Sequence, residues 1–180
     1  MALLDIDSSL EFPDFRAGER TFQLLVQAAG RAGRGGLDGQ VYLQGHHVGH
    51  KIIEDALNHD FESFAENELK KRKILAYPPF KRSALYEWTA TKQNKLFDIR
   101  KRIERGLDSW TQESEEMAKA KFLGPSTPGI ARVKGRYRLS LVVLFESRKV
   151  VEMLNHGFGE LLKDIPNVQL RVDVDPTNII

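Results

Sequence analysis

Gln27, Arg31 and Arg34 are the residues of this chain whose types and spacing best suit chemistry. At the helical repeat they stand at i, i+4 and i+7 and fall within about 60° of one another. Phe22, Leu25, Val26 and Ala29 fall on the opposite side. The same helix therefore has one face for a core and another that presents an amide and two guanidinium groups. Gly30 and Gly33 remove side chains beside them, which lets a ligand approach the backbone closely. Guanidinium groups hold phosphate oxygens in a fork, so the constellation reads as a phosphate-facing surface. An ordinary solvated arginine face is the competing reading.

The positioning helix is expected over Glu19 to Ala32, ended by the glycine cluster 33–36. A short buried strand is expected at Ala2–Asp7 and another between Gly39 and Gly45. This β–α–β run looks like the last portion of a parallel α/β lobe. Helical periodicity runs from His50 to about Leu75 through Ile53, Leu57, Phe61, Phe64 and Leu69. It closes in Lys70-Lys71-Arg72-Lys73, where cations suit the helix dipole. Tyr77-Pro78-Pro79-Phe80 then stops the helix and stiffens the chain. Beyond it the pattern predicts a strand (Ser83–Thr91), a helix (Asn94–Trp110), a strand near Lys121–Leu123 and a strand (Tyr137–Phe145). A helix (Arg148–Leu162) and a strand (Val168–Val174) follow. That β–α–β–β–α–β order is the ferredoxin-like, split βαβ arrangement. In the last strand Val168, Leu170, Val172 and Val174 are expected inward, with Gln169, Arg171 and Asp173 outward. The resulting class is α/β plus α+β, in three segments: 1–47, a connecting helix and Pro-Pro linker over 48–80, and a domain over 81–180.

The chain has 180 residues, 41% of them hydrophobic, and no cysteine. Disulfides and cysteine-ligated zinc are excluded, and a cytoplasmic location is expected. No run of residues approaches a membrane span, and the N-terminus has no signal-peptide pattern. The net charge of +2 hides an asymmetry: residues 1–69 carry −7, residues 70–150 carry +12 and residues 151–180 carry −3. Basic charge concentrated in one segment is the footprint expected for nucleic acid.

Within that segment Arg132, Lys134, Arg136 and Arg138 recur at every second residue. In an extended strand all four project to one side, a row of cations able to follow a phosphate backbone, although Gly135 allows a bend. A charged edge strand blocked against aggregation has the same pattern. Lys95, Arg100, Lys101, Arg102 and Arg105 lie on the polar side of the Asn94 helix. Trp88 is able to stack on a base but fits a core position better. The histidines 46, 47, 50 and 59 lack the spacing of a zinc site, so no metal is expected. Asp5 and Asp7 suit magnesium, capping or solvent equally. The glycine-rich stretch 30–39 contains neither a Walker A ending nor a dinucleotide fingerprint. Arginines alone do not turn over ATP, because other groups must hold the nucleotide and magnesium.

The Gln-x-x-Gly-Arg-x-Gly-Arg pattern over 27–34 resembles motif VI of superfamily 2 helicases. That resemblance implies the second RecA-like lobe, with Gln27, Gly30 and Arg31 facing the phosphates of ATP and Arg34 serving as an arginine finger. Pro13-Asp14-Phe15-Arg16-Ala17, Tyr77-Pro78-Pro79-Phe80, Gly124-Pro125, Gly135-Arg136-Tyr137-Arg138 and Val172-Asp173-Val174-Asp175-Pro176 extend it along nearly the whole chain. Together they resemble the C-terminal part of the PriA family of primosomal, replication restart helicases. The resemblance implies the end of a RecA-like lobe 2 followed by a domain similar to ribosomal protein S10. It places Walker A, Walker B and the family's zinc cysteines upstream of this chain. Its functional implications are ATP-dependent 3′–5′ DNA unwinding in DNA replication, with ATP and Mg in the whole protein and no cofactor for this chain alone. Implied partners are branched or single-stranded DNA, other primosome proteins and the acidic tail of single-stranded DNA-binding protein, with Arg148 at the matching position and Glu152 one turn along as a repelling group. Three readings stand: part of a restart helicase, a stand-alone binding module for such DNA or for single-stranded DNA-binding protein, and an unrelated nucleotide-dependent enzyme.

Overall fold

The computed structural model describes residues 2–32 and 40–179, in two compact units over 1–75 and 76–180. In the first unit β1 (Ala2–Leu3) and β2 (Tyr42–Leu43) pair in parallel, Ala2 opposite Tyr42. β1 is shorter than its apolar run, because Asp5 takes a positive φ and the chain turns directly into α1 (Ile6–Leu10). α2 spans Ala17–Ala32. Ahead of it, Asp14 Oδ1 accepts the Arg16 N–H at 2.8 Å.

The periodic run after His50 forms two helices rather than one: α3 (Lys51–Leu57) and α4 (Phe61–Leu75). His59 has φ 54°, and the Asp60 carboxylate accepts the Ser63 N–H at 2.9 Å. A left-handed residue followed by a capping aspartate ends one helix and starts the next, which apolar spacing alone does not reveal. These helices are not a connector. Ile52, Ile53, Ala56 and Phe64 join Ile6, Phe22 and Leu25 in the core, where Phe22 and Phe64 stack at 4.2 Å. Arg72 binds Glu68 on α4 at 2.9 Å and Glu19 on α2 at 3.1 Å, so one member of the basic cluster holds two helices together.

The second unit contains β3 (Arg82–Ala90), α5 (Gln93–Glu113), α6 (Glu115–Ala118), β4 (Lys121–Ser126), β5 (Arg132–Val133), β6 (Arg136–Phe145), α7 (Lys149–Leu162) and β7 (Val168–Val174). The strands lie in the order β4-β6-β3-β7 with antiparallel neighbours, and β5 folds back on β6. Alternation sets the faces. Tyr86 and Trp88 on β3, with Leu139, Leu141 and Val143 on β6, face the apolar sides of α5 and α7. Phe158 sits at the centre of this core, its ring 5.1 Å from Trp88, 5.2 Å from Tyr86 and 5.5 Å from Trp110. Gly157 is required beside it, since a Cβ there would meet the Trp110 ring at 2.3 Å. Trp88 is wholly buried and so is closed to base stacking.

The last strand keeps its alternation but not the expected burial. Leu170, Val172 and Val174 remain 37–43% exposed on β7, the edge strand that pairs with β3. No helix among the described residues is long and apolar enough to cross a membrane.

Phe158→Ala removes the ring shared by three aromatic neighbours and is expected to destabilise the second unit by about 3–5 kcal/mol. Both tryptophans of the chain, Trp88 and Trp110, lie in that unit, so urea unfolding followed by tryptophan fluorescence reads the change directly.

Candidate nucleotide and nucleic-acid surfaces

α2 buries Phe22, Leu25 and Ala28 and exposes Gln27, Gly30 and Arg31. Gln27 and Arg31 stand one turn apart on its outer side, as i, i+4 spacing requires. A Cβ on Gly30 would meet no described atom within 4 Å, so packing among the described residues does not demand a glycine there. The Arg31 side chain has no hydrogen-bonding or ionic partner among the described residues. Gln27 also borders an apolar cleft of about 560 Å³ between α2 and α4, lined by Phe22, Val26, Phe61 and Leu69. Arg31 does not line that cleft. Gly33 and Arg34 lie outside the described residues.

Asp7, considered for magnesium, is a loop clamp. Its carboxylate accepts the backbone N–H of His46 at 2.6 Å and of His47 at 2.9 Å, and lies 3.0 Å from the His47 ring nitrogen. The His46 N–H in particular holds the carboxyl below its ordinary value. Asp5 accepts the Ser8 hydroxyl at 2.6 Å. His50 caps α3 by accepting the Ile52 N–H at 3.2 Å. Two of the histidines therefore have structural partners of their own.

In the second unit the expected single row of four cations does not form. Val133 pairs with Arg136, and Lys134 (φ 48°) and Gly135 (φ 79°) make a two-residue turn between β5 and β6. Positive φ at both central positions is the hairpin geometry that matches strand twist, and glycine supplies the second without strain. Because Arg132 lies opposite Tyr137, the two share a face, while Arg136 and Arg138 point to the other.

The four cations then differ in availability. Arg132 lies 5.0 Å over the Tyr137 ring and is exposed. Lys134 is exposed at the tip and has no hydrogen-bonding or ionic partner among the described residues. Arg136 is half-buried, donating to Thr89 Oγ1 and to the Thr89 carbonyl at 2.9 Å each. Arg138 is held in an ion pair with Glu87 on the neighbouring strand. On α5, Lys95 reaches the Pro166 carbonyl, Arg100 pairs with Glu104 and Arg102 with Asp164. Lys101 and Arg105 stay exposed.

Beside the hairpin a slot of about 90 Å³ opens between α5 and the sheet. Leu96, Phe97, Tyr137 and Leu139 line it, with Arg100 at its side. Phe97 is 56% exposed. Its signal in the sequence is an aromatic one position past Leu96, rotated about 100° away from the apolar stripe.

Arg148 is exposed at the head of α7. Close by, the Arg82 guanidinium holds the Asp175 carboxyl below its ordinary value, and the charge of Arg148 adds to the effect. Glu152, one turn along α7, is also exposed.

The family model described as the primosomal protein N C-terminal domain matches residues 73–177. A replication restart protein PriA of Bacillus subtilis is 33% identical over 98% of this chain, and that of Rickettsia typhi is 31% identical over 98%. The protein of the same description from Synechocystis is 34% identical over 96%. This chain covers 20–26% of the length of these three relatives.

Proposed function

The chain belongs to the primosomal protein N family of replication restart proteins, and from that premise we propose that it is the C-terminal part of an ATP-dependent 3′–5′ DNA helicase acting in replication restart. The observation that carries this reading is continuity: the similarity runs through both units rather than stopping at the second. Membership removes the reading as an unrelated nucleotide-dependent enzyme.

In this reading the first unit is the end of a RecA-like lobe. The parallel β1–β2 pair with a helical crossover supports it, as does the outward placement of Gln27 and Arg31. Those two residues face the nucleotide phosphates, and Arg34 stabilises charge on the transferring phosphoryl group. The rest of the site, including the groups that hold ATP and magnesium, belongs to other parts of the longer protein. The 180-residue chain alone has no ATPase activity.

The second unit contacts branched or single-stranded DNA. Its strand order supports the ferredoxin-like class shared with ribosomal protein S10. Arg132 and Lys134 at the hairpin supply phosphate contacts, and Arg136 extends them with a guanidinium already oriented by Thr89. Arg138 contributes least, because Glu87 occupies it. Arg148 receives a carboxylate from the acidic tail of single-stranded DNA-binding protein, a reading supported by its exposure at the head of α7.

Fork DNA titrated with the 180-residue chain at increasing salt is expected to bind progressively more weakly. Lys134→Ala should lower the slope of log affinity against log salt by about one. Absent binding, or affinity indifferent to salt, would remove the phosphate-contact reading.

Arg34→Ala in the whole protein should cut DNA-stimulated ATP turnover by about a thousandfold or more while leaving DNA affinity intact. Turnover at the wild-type rate would exclude the finger role.

Arg148→Ala should weaken binding of a peptide from the acidic tail of single-stranded DNA-binding protein by about fivefold or more in fluorescence anisotropy. Equal affinity for both forms would place the peptide elsewhere.

A further inference from the structure

Resting on the DNA-contact reading of the second unit, we propose that the slot between α5 and the β5–β6 hairpin is a pocket for one unpaired base of single-stranded DNA, with Phe97 as its stacking surface. Three observations converge on it. The first is Phe97 itself: a large aromatic ring more than half exposed on the polar side of an amphipathic helix, three residues before Arg100. The second is the slot beside that ring, floored by Leu96, Tyr137 and Leu139, an apolar site of the kind a base face fills.

The third is charge. Among the described residues no carboxylate lines the slot, and since Arg100 is paired with Glu104 and Arg138 with Glu87, the charge available to a phosphate comes from the hairpin. Arg132 lies over Tyr137, and Lys134 stands beyond it on the same hairpin without an ionic partner among the described residues. A flat apolar surface with cations on its rim complements a base and the phosphates that flank it. A strand laid along the hairpin meets Lys134 and Arg132 with its backbone and turns one base toward Phe97. Such stacking is tolerant of sequence, because every base has a π-face.

The test compares two labelled strands of equal length, an oligothymidylate and an abasic oligomer with the same phosphates, each titrated with the 180-residue chain. The chain is expected to bind the oligothymidylate about tenfold more tightly. Phe97→Ala should erase that margin, leaving abasic binding and the salt slope unchanged, while Phe97→Tyr should retain it. Because Phe97 is largely exposed, the alanine form is expected to unfold at the wild-type urea midpoint, which separates loss of the pocket from loss of the fold.

An unchanged oligothymidylate affinity in Phe97→Ala, or an equal loss for both strands, overturns the pocket. If wild-type protein binds both strands equally, the pocket fails and the cationic surface stands. If it binds neither, the DNA-contact reading falls as well. A Phe97-dependent affinity for an acidic aromatic peptide, with no difference between the two strands, overturns the base pocket in favour of a protein partner.

Discussion

The second unit depends on the register of β6 against β3, nine cross-strand pairs running from Arg82 opposite Phe145 to Ala90 opposite Tyr137. Side chains alternate along a strand, so this one alignment sends Leu139, Leu141, Val143 and Phe145 to the helices and Arg136 and Arg138 to the open face. A slip by one residue would bury Arg138 and expose Leu139. The Arg138–Glu87 ion pair opposes that slip from the open side of the sheet, while the aromatic cluster around Phe158 opposes it from the core. Both members of the ion pair are largely shielded from solvent, so desolvation offsets much of their attraction. The pair's service to the fold is alignment more than stability.

The first unit is organised differently. Its two strands are very short, so helix packing carries it. α2 buries one side against α3 and α4 and is tied to α4 by Arg72 through Glu19 and Glu68. This arrangement keeps Gln27 and Arg31 outward. Arg72 and Arg31 are both arginines within or near helix ends, yet one is spent on intramolecular pairing and the other stays exposed. A guanidinium with two carboxylates in reach is structural; an exposed one has no such task among the described residues.

Periodicity in the sequence anticipates most elements, because apolar spacing reports burial directly. It places α5, α7 and β7 to within a few residues, and it identifies the outer face of α2. It does less well where a single residue reverses the chain. Arg132, Lys134, Arg136 and Arg138 read as one extended row, yet two successive positive φ angles at Lys134 and Gly135 divide them between two strands and two faces. The helix expected from His50 to Leu75 breaks for a similar reason, at His59 and Asp60. The exposed Leu170 and Val172 mark another limit, since alternation tells which side a residue takes but not whether a helix reaches far enough to cover it. The Phe97 slot brings together α5 and β6, which are separated by the chain between them, and pattern within one segment does not register such a meeting.

The Arg138–Glu87 pair also changes how the charge of this unit is counted. A free arginine in solution gathers an atmosphere of anions, and a phosphate backbone gathers cations; when the two meet, those small ions return to bulk water, and their entropy drives association. Arg138 has already exchanged its dissolved anion for a carboxylate of its own chain. It has little left to release. The excess of basic residues between 70 and 150 therefore overstates the electrolyte response of the folded protein, which is carried by cations such as Lys134 that folding has left in the ionic atmosphere.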